Sequence, residues 1–272
     1  MDILSSLFLG LITGFAEFFP VSASAHQQLF YQLTGLERAD AWHLAAHIGC
    51  LFAIIVLFFA RIKHTLQEMQ IASGFRSKRQ ADPAATAEGR LILTAAIPMF
   101  LGLLLLTRIE RYTPGFWFLA LMLCINGIAI YVPQFLPGAN KDSRGFSRLD
   151  SLILGLASAL SIFPGISRLN AVLCAGRLRG GDLSYITDLS VLLGIPWLLG
   201  LLILDTVAVV IAPVSLSLIT ILSLALCCIA AFGASYLAIS LLRFLAVKIG
   251  FTGFALYSWG IGFVCFVYYL II

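Results

Sequence analysis

Runs of about 20 apolar residues recur along this chain, and they restrict the folds that it can adopt more than any other feature. They lie at about 42–60, 91–107, 115–132, 185–204, 214–240 and 251–272. Of the 272 residues only 11% are charged, whereas soluble domains have about 25%. A segment of this length can cross a hydrocarbon core of about 30 Å as a helix, in which the backbone N–H and C=O groups form hydrogen bonds with one another. The pattern predicts an all-α polytopic membrane protein with six transmembrane helices in one membrane domain, 1–272.

Two further apolar segments are each interrupted by a Phe-Pro pair followed by polar residues. The first, 3–33, breaks at Pro20, and the second, 151–180, breaks at Pro164. The apolar stretches on either side of each break are too short to span a bilayer. Non-helical backbone at membrane depth is tolerated only where it is buried in protein or lines a wet cavity. Both segments are therefore predicted to be re-entrant helical hairpins.

The distribution of basic residues predicts the orientation in the membrane. With six spans and two hairpins, 13 of the 17 Lys and Arg residues fall on one side, which the positive-inside rule makes cytoplasmic. Both termini are then outside, and the hairpins enter from opposite faces. Each half is a hairpin plus three spans, 1–132 and 151–272, in the inverted-repeat arrangement that transporters use to build a site near the midplane. The net charge of +4 lies in short loops rather than on one face, so no nucleic-acid partner is expected.

Arg168 follows the second break and is the most informative single residue. An arginine at the centre of a membrane helix costs at least about 2.5 kcal/mol, so it should face a partner or a wet cavity. Its guanidinium can bind a phosphate through two nitrogens, and a helix restarting after Gly165 would direct its N–H groups to the same place. The alternative is a structural ion pair with Glu17. Glu17 could also act as a general acid or base, or hold a divalent cation such as Mg²⁺ or Ca²⁺.

Ser22 and His26 lie four residues apart and would share a helix face after Pro20. Such a pair could supply a nucleophile and its base, hydrogen bonds to a lipid headgroup, or contacts between helices. His43 and His47 have the same spacing, but two ligands do not define a zinc site. The six cysteines show no metal-ligand spacing and are expected to be buried apolar residues.

Around these residues the chain resembles the undecaprenyl-pyrophosphate phosphatases of the bacitracin-resistance (BacA/UppP) family. One family motif, close to E-G-x-T-E-F-x-P-V-S-S-T-G-H, matches residues 13–26, and another, close to P-G-x-S-R-S-G, matches residues 164–170. The resemblance extends over essentially the whole chain. It implies a fold in which two inverted repeats interdigitate.

The resemblance also implies an activity. It implies hydrolysis of undecaprenyl or another polyprenyl diphosphate to the monophosphate at the outer face of the bacterial cytoplasmic membrane. This reaction recycles the lipid carrier of peptidoglycan synthesis. It further implies a divalent cation and allows a homodimer. The positions that match the family motifs are Glu17, Ser22, His26, Ser167 and Arg168. The predicted catalytic residues are His26, Ser22, Ser24 and Glu17, with Glu17 also as metal ligand, and the predicted substrate-binding residues are Arg168, Ser167, Gly165 and Asn170.

The chain departs from the family pattern at several positions. Thr13 stands where the first motif has a glutamate, and Ala23 stands where it has its second serine. Leu169 and Asn170 replace the Ser and Gly after the arginine, and His43 stands at an acidic position. Ser22 or Ser24 could replace the missing serine, or His26 could itself accept the phosphoryl group. The alternative function is a homologue without activity that binds or flips a lipid phosphate.

Overall fold

The computed structural model describes residues 1–75, 79–109, 115–248 and 250–271, and within them the chain is helical apart from turns and one isolated β-bridge. Three loop charges counted above, Arg76, Lys78 and Arg111, lie outside these ranges. So does the last residue of the sixth predicted span. The helices of the described residues are α1 Ile3–Phe18, α2 Ala23–Thr34, α3 Asp40–Leu57, α4 Phe59–Ala72, α5 Pro83–Ile109, α6 Phe116–Tyr131, α7 Arg148–Ala159, α8 Arg168–Leu178, α9 Leu183–Leu192, α10 Gly194–Ile211, α11 Leu218–Lys248 and α12 Thr252–Ile271.

Six helical segments of the described residues are long and apolar enough to cross a membrane, which confirms the predicted polytopic all-α class. They are Asp40–Leu57, Pro83–Leu105, Phe116–Phe135, Leu183–Ile211, Leu218–Leu245 and Thr252–Ile271. The fourth predicted span is two helices, α9 and α10, which meet at Leu193. Pro196 has no N–H to donate to the carbonyl of Leu192, so the helix is interrupted one turn before the proline.

The polar segment 61–90, which joins the first two predicted spans and is therefore expected to be a loop, is largely helical. Helix α4 occupies its first part and α5 begins at Pro83. α4 buries Thr65 and Glu68, three residues apart, on the face that packs against α5. There the side chain of Met69 fills the space beside Gly89. The residues of α4 are mostly good helix formers, and the prediction went wrong because it used hydropathy alone.

The two interrupted segments each form a pair of short helices. α1 and α2 have 16 and 12 residues, and α7 and α8 have 12 and 11. α1 begins at the N-cap Asp2, and hydrogen bonds from the backbone and hydroxyl of Ser5 lower the pKa of the Asp2 carboxyl. Re-entry into the membrane, and the repeat boundaries 1–132 and 151–272, stay predictions.

Each short helix pair packs against a long helix from the other half of the chain. A Cβ added at Gly14 of α1 would lie 2.5 Å from the carbonyl oxygen of Ala231 in α11, and one at Gly10 would clash with Cys227. Likewise, a Cβ at Gly155 of α7 would clash with the carbonyl of Ala95 in α5. Small residues let these backbones approach closely, as is usual for helices in membranes. The two halves of the chain are thus interleaved.

Three basic segments that the charge count places on one side of the membrane, 61–90, 133–150 and 177–188, lie together. Arg61 of α4 pairs with Glu88 and with Asp188 at 2.9 Å, and Arg243 pairs with Asp188 at 2.9 Å. On the same face, the backbone of Lys141 exchanges hydrogen bonds with residues 180 and 182. Segments 61–90, 133–150 and 177–188 therefore meet with the end of α11 at one end of the helix bundle.

Candidate functional site

The first break lies between α1 and α2. Phe19, which precedes Pro20, has extended φ and ψ of −98° and 152°, the conformation that a following proline favours. Ser22 then caps α2 with φ 72°, and it is the only non-glycine with positive φ among the described residues. Such a conformation costs on the order of 1–3 kcal/mol and persists only where surrounding contacts hold it.

Three hydrogen bonds hold the Ser22 hydroxyl. Its Oγ accepts from the N–H of Ala25 at 3.4 Å and from the N–H of Gly165, in the second break, at 3.2 Å. With both lone pairs used, Ser22 donates its own hydrogen to Ser24 Oγ at 3.2 Å. Ser22 therefore joins the two breaks, and Ser24 keeps its own hydroxyl proton.

The second break lies between α7 and α8. α7 ends in a 3₁₀ turn, Leu160–Ile162, and Gly165 takes φ 107°. A Cβ at Gly165 would lie 2.6 Å from Met122, so both conformation and space require glycine here. Ser167 caps α8 by accepting from the N–H of Asn170 at 3.3 Å, and its hydroxyl is 3.4 Å from the Phe19 carbonyl oxygen.

The first residue of α8, Arg168, reaches across to the first break. Its Nε donates to Glu17 Oε1 at 3.1 Å, and its Nη1 donates to the Ser190 carbonyl at 2.8 Å. Arg168 and Glu17 are only 4% and 7% exposed. The remaining nitrogen, Nη2, is buried without a hydrogen-bond partner. A buried donor left unpaired costs about 1–3 kcal/mol, so an acceptor that reached Nη2, such as a phosphate oxygen, would be stabilised there.

Asn126 of α6 lies between the breaks and is fully buried. Its Nδ2 donates to the Pro20 carbonyl at 2.9 Å and to Ser258 Oγ at 3.1 Å. Its Oδ1 accepts from the Ser167 N–H at 3.0 Å and from Asn170 Nδ2 at 2.9 Å. Every hydrogen-bonding position of this amide is used.

His26 does not contact the Ser22 hydroxyl, so the expected side-chain pair is not formed. Because Ser22 is the N-cap, it lies outside the helix face of His26. His26 Nδ1 is 2.8 Å from the Ser22 carbonyl oxygen, and Nε2 is 2.7 Å from the Tyr257 hydroxyl. A carbonyl only accepts, so Nδ1 carries the proton, and in the neutral ring Nε2 accepts from Tyr257. The roles assigned to Ser22 and His26 stay predictions.

Two helix N-termini meet in this cluster. α2 and α8 both begin here, and the positive ends of their dipoles favour an anion.

All eight residues expected to form the site belong to one group linked by hydrogen bonds or adjacent turns. Asn170, however, uses both hydrogens of its amide on Asn126, and Ser167 is occupied as a cap, so these two hold the breaks together.

Glu17 is the carboxylate that could hold a cation in this cluster. Among the described residues no group of three or more His, Cys, Asp or Glu side chains could hold a metal ion by itself. Mg²⁺ usually binds through one or two carboxylates together with substrate phosphates. The residues present therefore fit a cation that arrives with a diphosphate, and not an ion held by the protein alone.

The second histidine pair has partners of its own. His47 Nδ1 is 2.6 Å from Asp205, and His43 Nε2 is 2.8 Å from the Tyr31 hydroxyl. Their ring centroids are 6.0 Å apart. The six cysteines are free; Cys50, Cys227 and Cys265 are buried, as expected, and the other three are half-buried.

The sequence interpretation missed the contacts of Tyr257, Ser258 and Ser190. Asn126 and Ser190 were visible as polar residues within apolar spans, which is a signal of function or packing. Tyr257 carried no such signal, because tyrosines are common in membrane helices near the interface. Its importance depends on α12 packing beside α2, which the sequence does not show.

The fold and the site together define a polytopic helical membrane protein with a cluster of buried polar residues between two interrupted helical segments. A family model described as bacitracin resistance protein BacA matches residues 6–264. The chain therefore belongs to the BacA family.

Its relatives carry a common name. An undecaprenyl-diphosphatase of Methanobrevibacter smithii is 30% identical over 98% of this chain and 97% of its own length. That of a Nocardioides species is 32% identical over 74% of this chain and 73% of its own. That of Halothermothrix orenii is 27% identical over 96% of each.

Proposed function

We propose that this protein is an undecaprenyl-diphosphatase, which hydrolyses the membrane-bound diphosphate to undecaprenyl phosphate and inorganic phosphate. The observation that carries the proposal is the buried Arg168 guanidinium at the start of α8, which is bonded to Glu17 of the first break and keeps Nη2 without a hydrogen-bond partner. The name shared by the relatives supports hydrolysis over simple binding or flipping of a lipid phosphate.

In this proposal Arg168 holds the diphosphate, and the two helix N-termini stabilise the charge that develops on it. A nucleophile attacks the terminal phosphorus, the bond to the bridging oxygen breaks, and the prenyl phosphate leaves with the electron pair. One water molecule is consumed overall. Ser24 is the better serine nucleophile, because Ser22 uses its whole hydroxyl on other contacts. His26 remains the alternative phosphoryl acceptor, or the base, through Nε2.

Glu17 is proposed to serve a divalent cation, Mg²⁺ or Ca²⁺, that binds together with the diphosphate. Such an ion would neutralise phosphate charge and polarise the bond that breaks. Glu17 also orients Arg168 through the 3.1 Å contact. Both roles need the carboxylate to be ionised.

The orientation is also a proposal. The positive-inside rule supports basic loops in the cytoplasm, both termini outside and chemistry that is reached from the outer face of the bacterial cytoplasmic membrane. Homodimerisation is a further expectation, to be checked by the mass of the purified protein in detergent.

The test is phosphate release from a polyprenyl diphosphate by the purified protein, with Mg²⁺, with Ca²⁺ and with a chelator. Arg168→Lys keeps the charge but loses the planar fork, and we expect turnover to fall by at least about a hundredfold. The matched control is Arg148→Lys, at an exposed arginine that begins α7. Lipid binding without turnover in any metal would contradict the hydrolase and favour a carrier.

A further inference from the structure

A long apolar groove begins beside the site. It has a volume of about 580 Å³, within the range of about 300–1,000 Å³ typical of ligand pockets. One wall is α1, and the other is formed by the end of α11 and the first turns of α12. Its lining includes Phe15, Phe19, Leu245, Gly253 and Phe254.

The groove reaches the candidate site at His26. Its polar lining residues are His26 and Tyr257, which are hydrogen-bonded to each other at 2.7 Å. From this pair the groove extends along α1 to Gly250, in the turn between α11 and α12. A ligand with a charged head at the site and an apolar tail would therefore meet a change from polar to apolar lining at His26.

The second cavity has different chemistry. It has a volume of about 270 Å³, and its mostly apolar lining also includes three polar side chains, those of Gln134, Asn170 and Arg177. Polar groups of this kind suit water or phosphate better than a hydrocarbon chain. Of these two cavities, the groove at His26 is therefore the one suited to an apolar tail.

We propose that this groove binds the isoprene units next to the diphosphate of the substrate. The inference rests on the proposed function, which places a diphosphate ester of a long prenyl chain at Arg168. The chain is apolar, and burying it against Phe15, Phe19 and Phe254 removes it from contact with the polar cluster. The groove thus makes the enzyme prefer diphosphates with longer prenyl chains over those with shorter prenyl chains.

Gly253 allows a direct test. A Cβ added there meets nothing within 4 Å, so a larger side chain can enter the groove without a clash. Gly260 is the matched control, because it lies two turns further along α12, is outside the groove lining and is equally unobstructed. The variants are Gly253→Ala, Gly253→Leu and Gly260→Leu.

The measurement is kcat/KM for a C15 and a C5 prenyl diphosphate. We expect Gly253→Leu to lower the C15-to-C5 ratio roughly tenfold, as when about two buried CH₂ groups are displaced, with Gly253→Ala between it and the wild type. Gly260→Leu should keep the wild-type ratio. An unchanged ratio, or an equal loss for both substrates, would overturn the inference.

Equilibrium binding of the C15 diphosphate is measured beside turnover. If wild type binds but does not turn over, the proposed hydrolase fails, and the groove is still judged by whether Gly253→Leu binds roughly tenfold more weakly than Gly260→Leu. Failure of the wild type to bind would overturn the inference. An n-alkyl diphosphate with the same chain-length preference and the same loss would also overturn it, leaving a groove for any apolar chain.

Discussion

Ser22 and Ser24 are two residues apart, but their surroundings suit them to different roles. Ser22 is buried, takes a positive φ and uses both lone pairs on backbone N–H groups. Ser24 is partly exposed and is bonded through its hydroxyl to Ser22. Sequence alone could not rank these two serines, because the ranking depends on where Gly165 lies.

We expect Ser24→Ala to lower kcat strongly while the protein remains folded. Ser22→Ala should instead lower stability by about 1–3 kcal/mol, because the helix loses its cap and the Gly165 N–H loses its acceptor. Phosphate release and thermal unfolding in detergent, measured on both variants, separate these effects. If Ser22→Ala is fully stable and inactive while Ser24→Ala is active, the order of the two serines is reversed.

Asn126 gives a second prediction about a single residue. Asn126→Asp keeps the size and the acceptor but replaces the Nδ2 donor, so an oxygen would face the Pro20 carbonyl. We expect a loss of several kcal/mol in unfolding free energy and loss of turnover. Asn140→Asp, at an exposed loop asparagine, is the control and should change neither quantity. If Asn126→Asp is as stable as the wild type, the hydrogen bonds of the amide contribute little to the free energy of unfolding.

At the scale of helices, hydropathy identified the six spans because each must be apolar over its whole length. It did not identify α4, which faces other helices as well as solvent, or the division of the fourth span at Leu193. The two breaks were predicted correctly from Pro20 and Pro164 with their short flanks. The pairing of α1 with α11 was not, because contacts between distant small residues leave no local signal.

That pairing is testable through its glycines. Gly14→Leu would drive a side chain into the backbone of Ala231 and force α1 away from α11. We expect a large loss of folded protein in detergent, beyond the roughly 1–3 kcal/mol usual for overpacking, since backbone must move. Gly233→Leu, on α11 with open space around it, should fold normally. Equal yields of the two variants would show that the helix contact is dispensable.

For the whole molecule, the sequence predicted that both breaks would contribute to one site, and the contact of Glu17 with Arg168 joins them. This prediction was possible because a charged residue within an apolar segment is stable only beside a partner or in a wet cavity. Asn126 of α6 and Tyr257 of α12 also contribute to this site, but their contributions depend on the packing of three segments that are far apart in the sequence. Those became visible only in the folded chain.

The predicted orientation can be checked on the intact protein. Alkaline phosphatase fused after Ile271 should be active, because both termini are expected outside, and a fusion within the basic segment 61–90 should be inactive. A fluorescent protein that folds only in the cytoplasm should give the opposite pattern. The reverse result would place the basic loops outside and require access to the site from the other face.

The saturated amide of Asn126 limits how the molecule can move. Its four hydrogen bonds join α6, α8, α12 and the turn at Pro20, so no one of these can slide without leaving buried polar atoms unpaired. Breaking them together would cost several kcal/mol. A carrier that rocks one half of the chain against the other would have to break these hydrogen bonds in each transport cycle. We therefore expect the centre to stay fixed and the lipid to reach it by diffusion within the bilayer.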